Sequence, residues 1–459
     1  MRDDIESNGL WFLPDSEDDK ISGKISYSQE QGIYLELLGS FDEIEQMFSE
    51  STNYIILGIL QNGKKITLLN NSITSRTLNF PGIPTVKYIS TYMFVGAHYF
   101  KKEEILFDEI SIEFHNLSEW VSINGINEVK YKNEEFRLHY TLPSEINFNV
   151  KDYNAKFKFS SNIKNDNFKT FCLHQKVEFS LKKEKTTQIF DFLRDSLVFQ
   201  GLITFGSFEN CYPKAIKLKN ENIFETYGDN KIYKEVELYY KSKGTKSIKQ
   251  KHSFKFLFNY EDLKDNFQKT VSNWYRYNSE IEPIIYLFLN SFYAHDRIFT
   301  EGKFLEIIHA LETFHRRTYE NKVMKESDYN EKKRIILESV PREHKEWLQA
   351  KLHFGNEPSL HERLVELLSE ISEFKIIEEI ITDSEQFIRD VKNSRNYYTH
   401  YDKSLEKKFV KGSSLYYLTI KLRIILIIHL LLLLELEKGK IEIILQKLKD
   451  HHYNFLFHK

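Results

Sequence analysis

Over its first 260 residues the chain alternates apolar and polar positions between turn residues; beyond that, apolar positions recur at helical spacing. The runs 53–60 and 66–69 flank Asn62-Gly63, which predicts a hairpin because both turn residues tolerate positive φ. Phe136 to Thr141 and Lys176 to Leu181 alternate cleanly, the first in the manner of a half-exposed strand. One amphipathic helix interrupts the strands, with Ile189, Phe190, Leu193 and Leu197 along one face after Thr186-Thr187. These signs predict one or two antiparallel β-rich modules in 1–260, with room for a sub-boundary near 150, in the stretch 145–155.

From Asp262 onward the pattern is helical. Ile284, Ile285, Leu287 and Phe288 make one apolar face, and Phe304, Ile307, Ile308, Leu311 and Phe314 make another. Leu360, Leu364, Leu367 and Leu368 follow a helix start at Pro358-Ser359, and Thr382 to Glu385 offers capping residues for the next helix. A last long helix, about Ser414 to Leu436, is apolar on nearly every side, as a helix buried in a bundle or clamped between subunits would be. The expected class is α+β: a β-rich N-terminal region followed by an all-α bundle over 261–459.

Length and composition narrow the function. At 459 residues the chain is too long for one ordinary domain. A net charge of -3 provides no global attraction to nucleic acid, so any RNA contact has to come from a local basic surface. Cys172 and Cys211 belong to no ligand-spaced cluster, and neither a disulfide framework, a metal site nor a cofactor is expected. The stretch Met1 to Glu6 is acidic and lacks an apolar core, and the greasiest run, 424–434, contains His429 and is too short to cross a bilayer. A cytoplasmic protein without a membrane partner is the simplest expectation.

Candidate chemistry lies near the C-terminal end, in Arg395-Asn396-Tyr397-Tyr398-Thr399-His400. An imidazole, with an ordinary pKa near about 6.5, moves protons at neutral pH, and a guanidinium grips a phosphate through paired hydrogen bonds. On a helix Asn396 and His400 align, while Arg395 lies about 140° around the axis from His400. Two such helices about a twofold axis would bring two sets to one cleft. The structural alternative is a capped helix end, with His400 favoured by the helix dipole and Arg395 paired with Glu385 or Asp390.

Those residues resemble the HEPN superfamily, whose Arg-polar-x3-His element is matched position by position by Arg395, Asn396 and His400. Phe304 to Arg317 resembles the opening helix of the HEPN subgroup found in ApeA-type proteins. Gly9 to Pro14, Ile21 to Tyr27, Leu35 to Gly39, Val95 to Tyr99 and Leu117 to Trp120 are similar to the ApeA N-terminal domain. The resemblance implies a HEPN domain at about 301–450 below a sensing or regulatory β region. It also implies an anti-phage, abortive-infection endoribonuclease that needs no metal, cuts RNA (tRNA among the candidates) at a dimer interface, and is activated on infection. A homodimer or dimer of dimers, an RNA substrate and a phage-derived protein trigger are the partners it suggests. Two rivals remain: a non-catalytic HEPN platform for dimerisation or RNA binding, and a HEPN toxin controlled by a separate nucleotidyltransferase.

Other residues carry two readings each. Glu312 either orients Arg395 or His400 or makes an ordinary salt bridge. Arg316 and Arg317 either hold RNA backbone or simply suit the end of their helix. His309 and His315 read as packed or solvent-facing. The basic run from Lys241 to Lys251 is either a phosphate-contact patch or a solvated hairpin tip. Trp11 and Trp120 read as core residues of the β region.

Overall fold

The computed structural model describes residues 4–42, 55–79, 81–132, 135–166, 169–228, 230–242, 252–293 and 300–457. They form two compact units, Met1–Gln268 and Lys269–Lys459. The divide lies between Gln268 and Lys269, whereas the sequence pattern changes near 260.

The N-terminal unit begins with β1 (Ile5–Phe12), β2 (Ile21–Ser28), β3 (Gly32–Leu38), β4 (Ile55–Leu60), β5 (Lys65–Thr77) and β6 (Thr85–Val95). Their antiparallel order β6-β3-β2-β1-β4-β5 closes through a β5–β6 pairing into a six-stranded barrel. Closure leaves these strands no free edge. Inward positions such as Trp11, Ile25, Leu35, Ile56 and Leu68 fill the barrel and are fully buried. Each large apolar side chain so buried is worth about 1.5–3 kcal/mol. Gly58 makes room for Trp11, because a Cβ there would lie 2.3 Å from the indole.

The predicted hairpin joins β4 to β5 through Gln61-Asn62-Gly63, but only Gly63 takes positive φ (78°). The turn is closed by Gly63 N–H donating to Leu60 O at 2.9 Å and Leu60 N–H to Lys64 O at 3.0 Å. Glycine thus supplies the single left-handed residue that a three-residue loop requires.

Next come β7 (Leu106–Phe114), α1 (Leu117–Val121), β8 (Ile126–Lys132), β9 (Glu135–Tyr140), β10 (Ile146–Val150), β11 (Tyr153–Asp166) and β12 (Thr170–Gln188). They are followed by α2 (Ile189–Ser207), β13 (Pro213–Lys219), β14 (Phe224–Tyr227), β15 (Asn230–Tyr233), β16 (Val236–Tyr240) and α3 (Tyr260–Leu263). The order β10-β11-β12-β7-β13-β16 continues onto β6, so the sheet runs directly into the barrel. The stretch 145–155, expected to allow a join, forms the β10–β11 hairpin within this sheet. A second core forms where Phe179 of β12 stacks on Phe199 of α2 at 4.0 Å, with Trp120 and Phe157 against the same ring.

Two local expectations change. In α2 the buried stripe is Ile189, Phe192, Ser196, Phe199 and Ile203, and Leu197 is exposed. The apolar residues of this helix outnumber one face, so spacing alone could not choose the stripe. The Phe136–Thr141 strand is β9 plus Thr141; among the described residues β9 pairs with β8 alone, and Phe136, Tyr131 and Val129 stay exposed. Of the basic run, Lys241 and Ser242 are described, while 243–251 lie outside the described residues.

The helical unit takes up α4 (Phe267–Glu280) from Lys269, then α5 (Glu282–Tyr293), α6 (Thr300–Thr318), α7 (Glu326–Ser339), α8 (Arg342–Lys351) and α9 (Leu360–Glu370). It ends with α10 (Lys375–Ile380), α11 (Ser384–His400), α12 (Gly412–Leu433) and α13 (Lys438–His451). The predicted face of α6 is buried from Phe304 to Phe314. Ser359 and Glu362 form a reciprocal capping box at α9. By length and composition α12 could cross a membrane, yet 67% of its most apolar window is buried inside the protein, where it packs along α6. Cys172 and Cys211 are both free thiols.

Candidate active site

Helix α11 starts where the Asp383 carboxylate accepts the Gln386 N–H at 2.9 Å. It buries Phe387, Ile388, Val391, Ser394 and Tyr398, a stripe set by three- and four-residue spacing. That stripe fixes what the flanks present. Arg395 lies at one border and reaches α6, where its Nε is 3.3 Å from Glu312 Oε1. The contact is an ion pair without hydrogen-bond alignment, and Glu312 Oε1 is buried with no hydrogen-bond partner among the described residues. Arg395 Nη1 donates to Asn396 Oδ1 at 3.3 Å. The guanidinium is therefore held between a carboxylate and an amide.

The alternative pairing of Arg395 within its own helix is not what forms. Asp390 accepts from Gln386 at 2.8 Å, and Glu385 lies 3.8 Å from His361. His400 occupies the last turn of α11 and is exposed. Among the described residues no hydrogen bond joins it to Arg395, which is turned instead toward Glu312 and Asn396. One copy of the chain thus ties Arg395 to Asn396 and Glu312 and leaves His400, about 140° around the helix axis from Arg395, exposed in the last turn.

The remaining sequence candidates are engaged elsewhere. Arg316 pairs with Glu357 at 2.9 Å, and Arg317 Nη1 donates to the Glu280 carbonyl at 2.9 Å. His309 is exposed. His315 is fully buried: its Nδ1 accepts from Arg363 at 2.9 Å, which leaves Nε2–H to donate to Glu366 at 2.7 Å. Arg363, itself buried, also donates to Asn321 at 2.6 Å. Burial holds the His315 pKa below its ordinary value despite Glu366, and Arg363 adds to that effect. In α12, His429 is pushed down to about 4, chiefly by burial.

Sequence reasoning missed this polar seam, and it missed the support beneath the motif. Tyr398 donates its hydroxyl to Val410 O at 2.9 Å, and Val410 N–H donates to Ser394 Oγ at 2.9 Å. Burial raises the Tyr398 pKa to about 12. Tyr397 stacks face to face on Phe409 at 3.7 Å. A phenylalanine set among lysines just after the motif was the available signal. Among the described residues no cluster of three or more His, Cys, Asp or Glu has the arrangement to hold a metal ion.

Comparison with known proteins agrees with this division. The model described as ApeA N-terminal domain 1 matches residues 6–274, and the one described as Apea-like HEPN matches 305–440. No curated protein matches. A solved structure titled "MrkH, A novel c-di-GMP dependence transcription regulatory factor" is 10% identical over 43% of this chain and 84% of its own, with a TM-score of 0.13. A β-rich region with a six-stranded barrel, an Arg395–Asn396–His400 helix and the two matches together place the chain in the ApeA family, with an Apea-like HEPN domain as its helical part.

Proposed function

We propose that this protein is an anti-phage endoribonuclease whose active site forms when two HEPN domains bring their α11 helices together. The observation that carries the reading is the split on α11. Arg395 is anchored by Glu312 and Asn396, while His400 is exposed in the last turn of the same helix, about 140° around the axis from Arg395. A second copy about a twofold axis completes the set, since each copy supplies what the other cannot aim at the same phosphate.

In the proposed reaction the ribose 2′-oxygen attacks the adjacent phosphorus in line as one His400 takes its proton. The bond from phosphorus to the 5′-oxygen breaks, and a proton donor, the second His400, protonates the leaving oxygen. The products are a 2′,3′-cyclic phosphate and a 5′-hydroxyl. Arg395 from each copy steadies the charge on the phosphorane, as preorganised cations do. No step calls on a metal. RNA, a tRNA among the candidates, is the substrate, the cytoplasm the site of action, and a phage-derived protein the trigger read by the β-rich unit.

The test is cleavage of cellular RNA in excess chelator by wild type, Arg395→Ala and His400→Ala. Loss in both variants supports the assignment; undiminished cleavage in both removes it. A non-catalytic platform would give RNA association without cleavage by wild type. Dependence on a separately encoded nucleotidyltransferase would favour the partnered-toxin reading.

A further inference from the structure

The connection that follows His400 is built as a surface, not a slack link. His400 ends α11 and Tyr401 caps it in the left-handed region, φ 51°, with its N–H donating to Tyr397 O at 2.6 Å. A bulky aromatic side chain seldom takes that conformation, which here turns the ring outward. Tyr401 is 69% exposed, and its ring lies 5.7 Å from Tyr397, edge to face. Tyr397 in turn stacks flat on Phe409, and Tyr398 meets the same Phe409 ring at 5.4 Å. The bonds from Tyr398 to Val410 and from Val410 to Ser394 clamp the far end back onto α11.

The connection is basic on balance, with four lysines to two carboxylates. Lys403, Lys407, Lys408 and Lys411 are all exposed, and none makes an ion pair with a described carboxylate. Lysines elsewhere in the unit do so, as Lys438 with Glu373 and Lys449 with Glu379. Two carboxylates on the same segment, Asp402 and Glu406, stand against these four lysines, so the connection keeps an excess of positive charge. The Asp402 carboxylate is committed to Ser404, which caps the Lys403–Leu405 turn at 2.9 Å. Exposed aromatic rings interleaved with free cations are what holds single-stranded nucleic acid, the rings by stacking on bases and the cations by following phosphates.

We infer that residues 401–411 form a nucleobase subsite beside the scissile linkage, in which Tyr401 stacks an unpaired base and Lys403, Lys407, Lys408 and Lys411 hold the flanking phosphates. Tyr401 is a positioning residue in this arrangement. It fixes which nucleotide is presented to His400, its neighbour in sequence. The inference rests on the ribonuclease reading for its biological meaning, but its test does not.

The probe is a short fluorescent oligoribonucleotide with 2′-O-methyl riboses, which cannot be cut by 2′-oxygen attack, offered to the full chain single-stranded and as a duplex. Wild type is expected to bind the single strand more tightly. Tyr401→Ala should weaken that binding by roughly 5- to 100-fold, the loss of one base–aromatic stack, and Tyr401→Phe should retain it. A 2-aminopurine in the strand should be quenched by wild type and by Tyr401→Phe, but not by Tyr401→Ala. Each lysine changed to alanine should lower the slope of log affinity against log salt by about 0.7. The inference is overturned if Tyr401→Ala binds and quenches as wild type does, if wild type prefers the duplex, or if Tyr401→Ala alters only the dimer mass. If wild type binds the probe as described yet cuts no RNA, the ribonuclease reading fails and the subsite stands.

Discussion

Within the helical unit, His315 and His429 lie in the packed interior of α6 and α12, whereas His400 stands in water at the end of α11. Around the first two, burial outweighs the acceptors that face the ring and keeps it neutral. His315 accepts from Arg363 and donates to Glu366; His429 meets the Leu367 carbonyl at 3.2 Å. Among the described residues no hydrogen bond or ion pair fixes the His400 ring, and the nearby order belongs to Arg395, Tyr397 and Tyr401. A histidine held on both nitrogens serves the fold, while one left open at a helix end beside an anchored arginine is available for chemistry.

The sharpest way to break that contrast is to exchange the two kinds. His400→Ala should lower RNA cleavage by about 10²–10⁴-fold, the usual worth of a general acid or base. Its unfolding free energy should stay within about 0.5 kcal/mol of wild type. Denaturant unfolding and a cleavage assay on the same preparation check both halves. Equal loss of stability and activity would make His400 another structural histidine.

Arg363→Ala should do the opposite. It removes one buried hydrogen bond, to His315, and one part-buried, to Asn321, at about 1–3 kcal/mol for each buried group left unsatisfied. The urea midpoint of the helical unit should fall, with any change in cleavage following from unfolding alone.

Acid should separate the groups as well. The folded-state pKa of His315 and of His429 is lowered, so the folded protein binds fewer protons than the unfolded chain. Their contribution to stability is present above about pH 6.5 and is lost as pH falls toward the His429 value of about 4. His115 in the β-rich unit is lowered in the same direction. Unfolding midpoints measured from pH 7.5 to about pH 5 should therefore decline, and the decline should be shallower in His429→Gln.

The smallest effect belongs to Arg316, whose pair with Glu357 is on the surface. Arg316→Ala should change stability by no more than about 1 kcal/mol. A cleavage defect at unchanged stability would restore Arg316 as an RNA contact.

Much of the architecture was legible because it follows from short-range periodicity. The face of α6, the Ser359 and Asp383 caps and the Asn62-Gly63 turn are local matters, and local residues decide them. Closure of the barrel was not legible, since it depends on β5 finding β6 and β1 finding β4 across the chain. The same limit governed the site. Spacing placed Arg395, Asn396 and His400 on one helix, but left open whether Arg395 pairs with Glu385 or Asp390 of α11 or with Glu312 of α6. The structure supplies Glu312 from α6, 83 positions earlier in sequence (395 − 312). Leu197 shows the converse, an apolar residue in good helical register that faces solvent because its neighbours already fill the core.

The most direct measurement is the chemistry of the cut itself, on an RNA carrying a single 2′-deoxy nucleotide at the mapped cleavage position, in chelator. The expected result is that the unmodified RNA yields 2′,3′-cyclic phosphate and 5′-hydroxyl ends while the substituted position is spared. Cleavage at the 2′-deoxy position, or 3′-hydroxyl ends from the unmodified RNA, would contradict a shared Arg395–His400 site that works through the ribose hydroxyl.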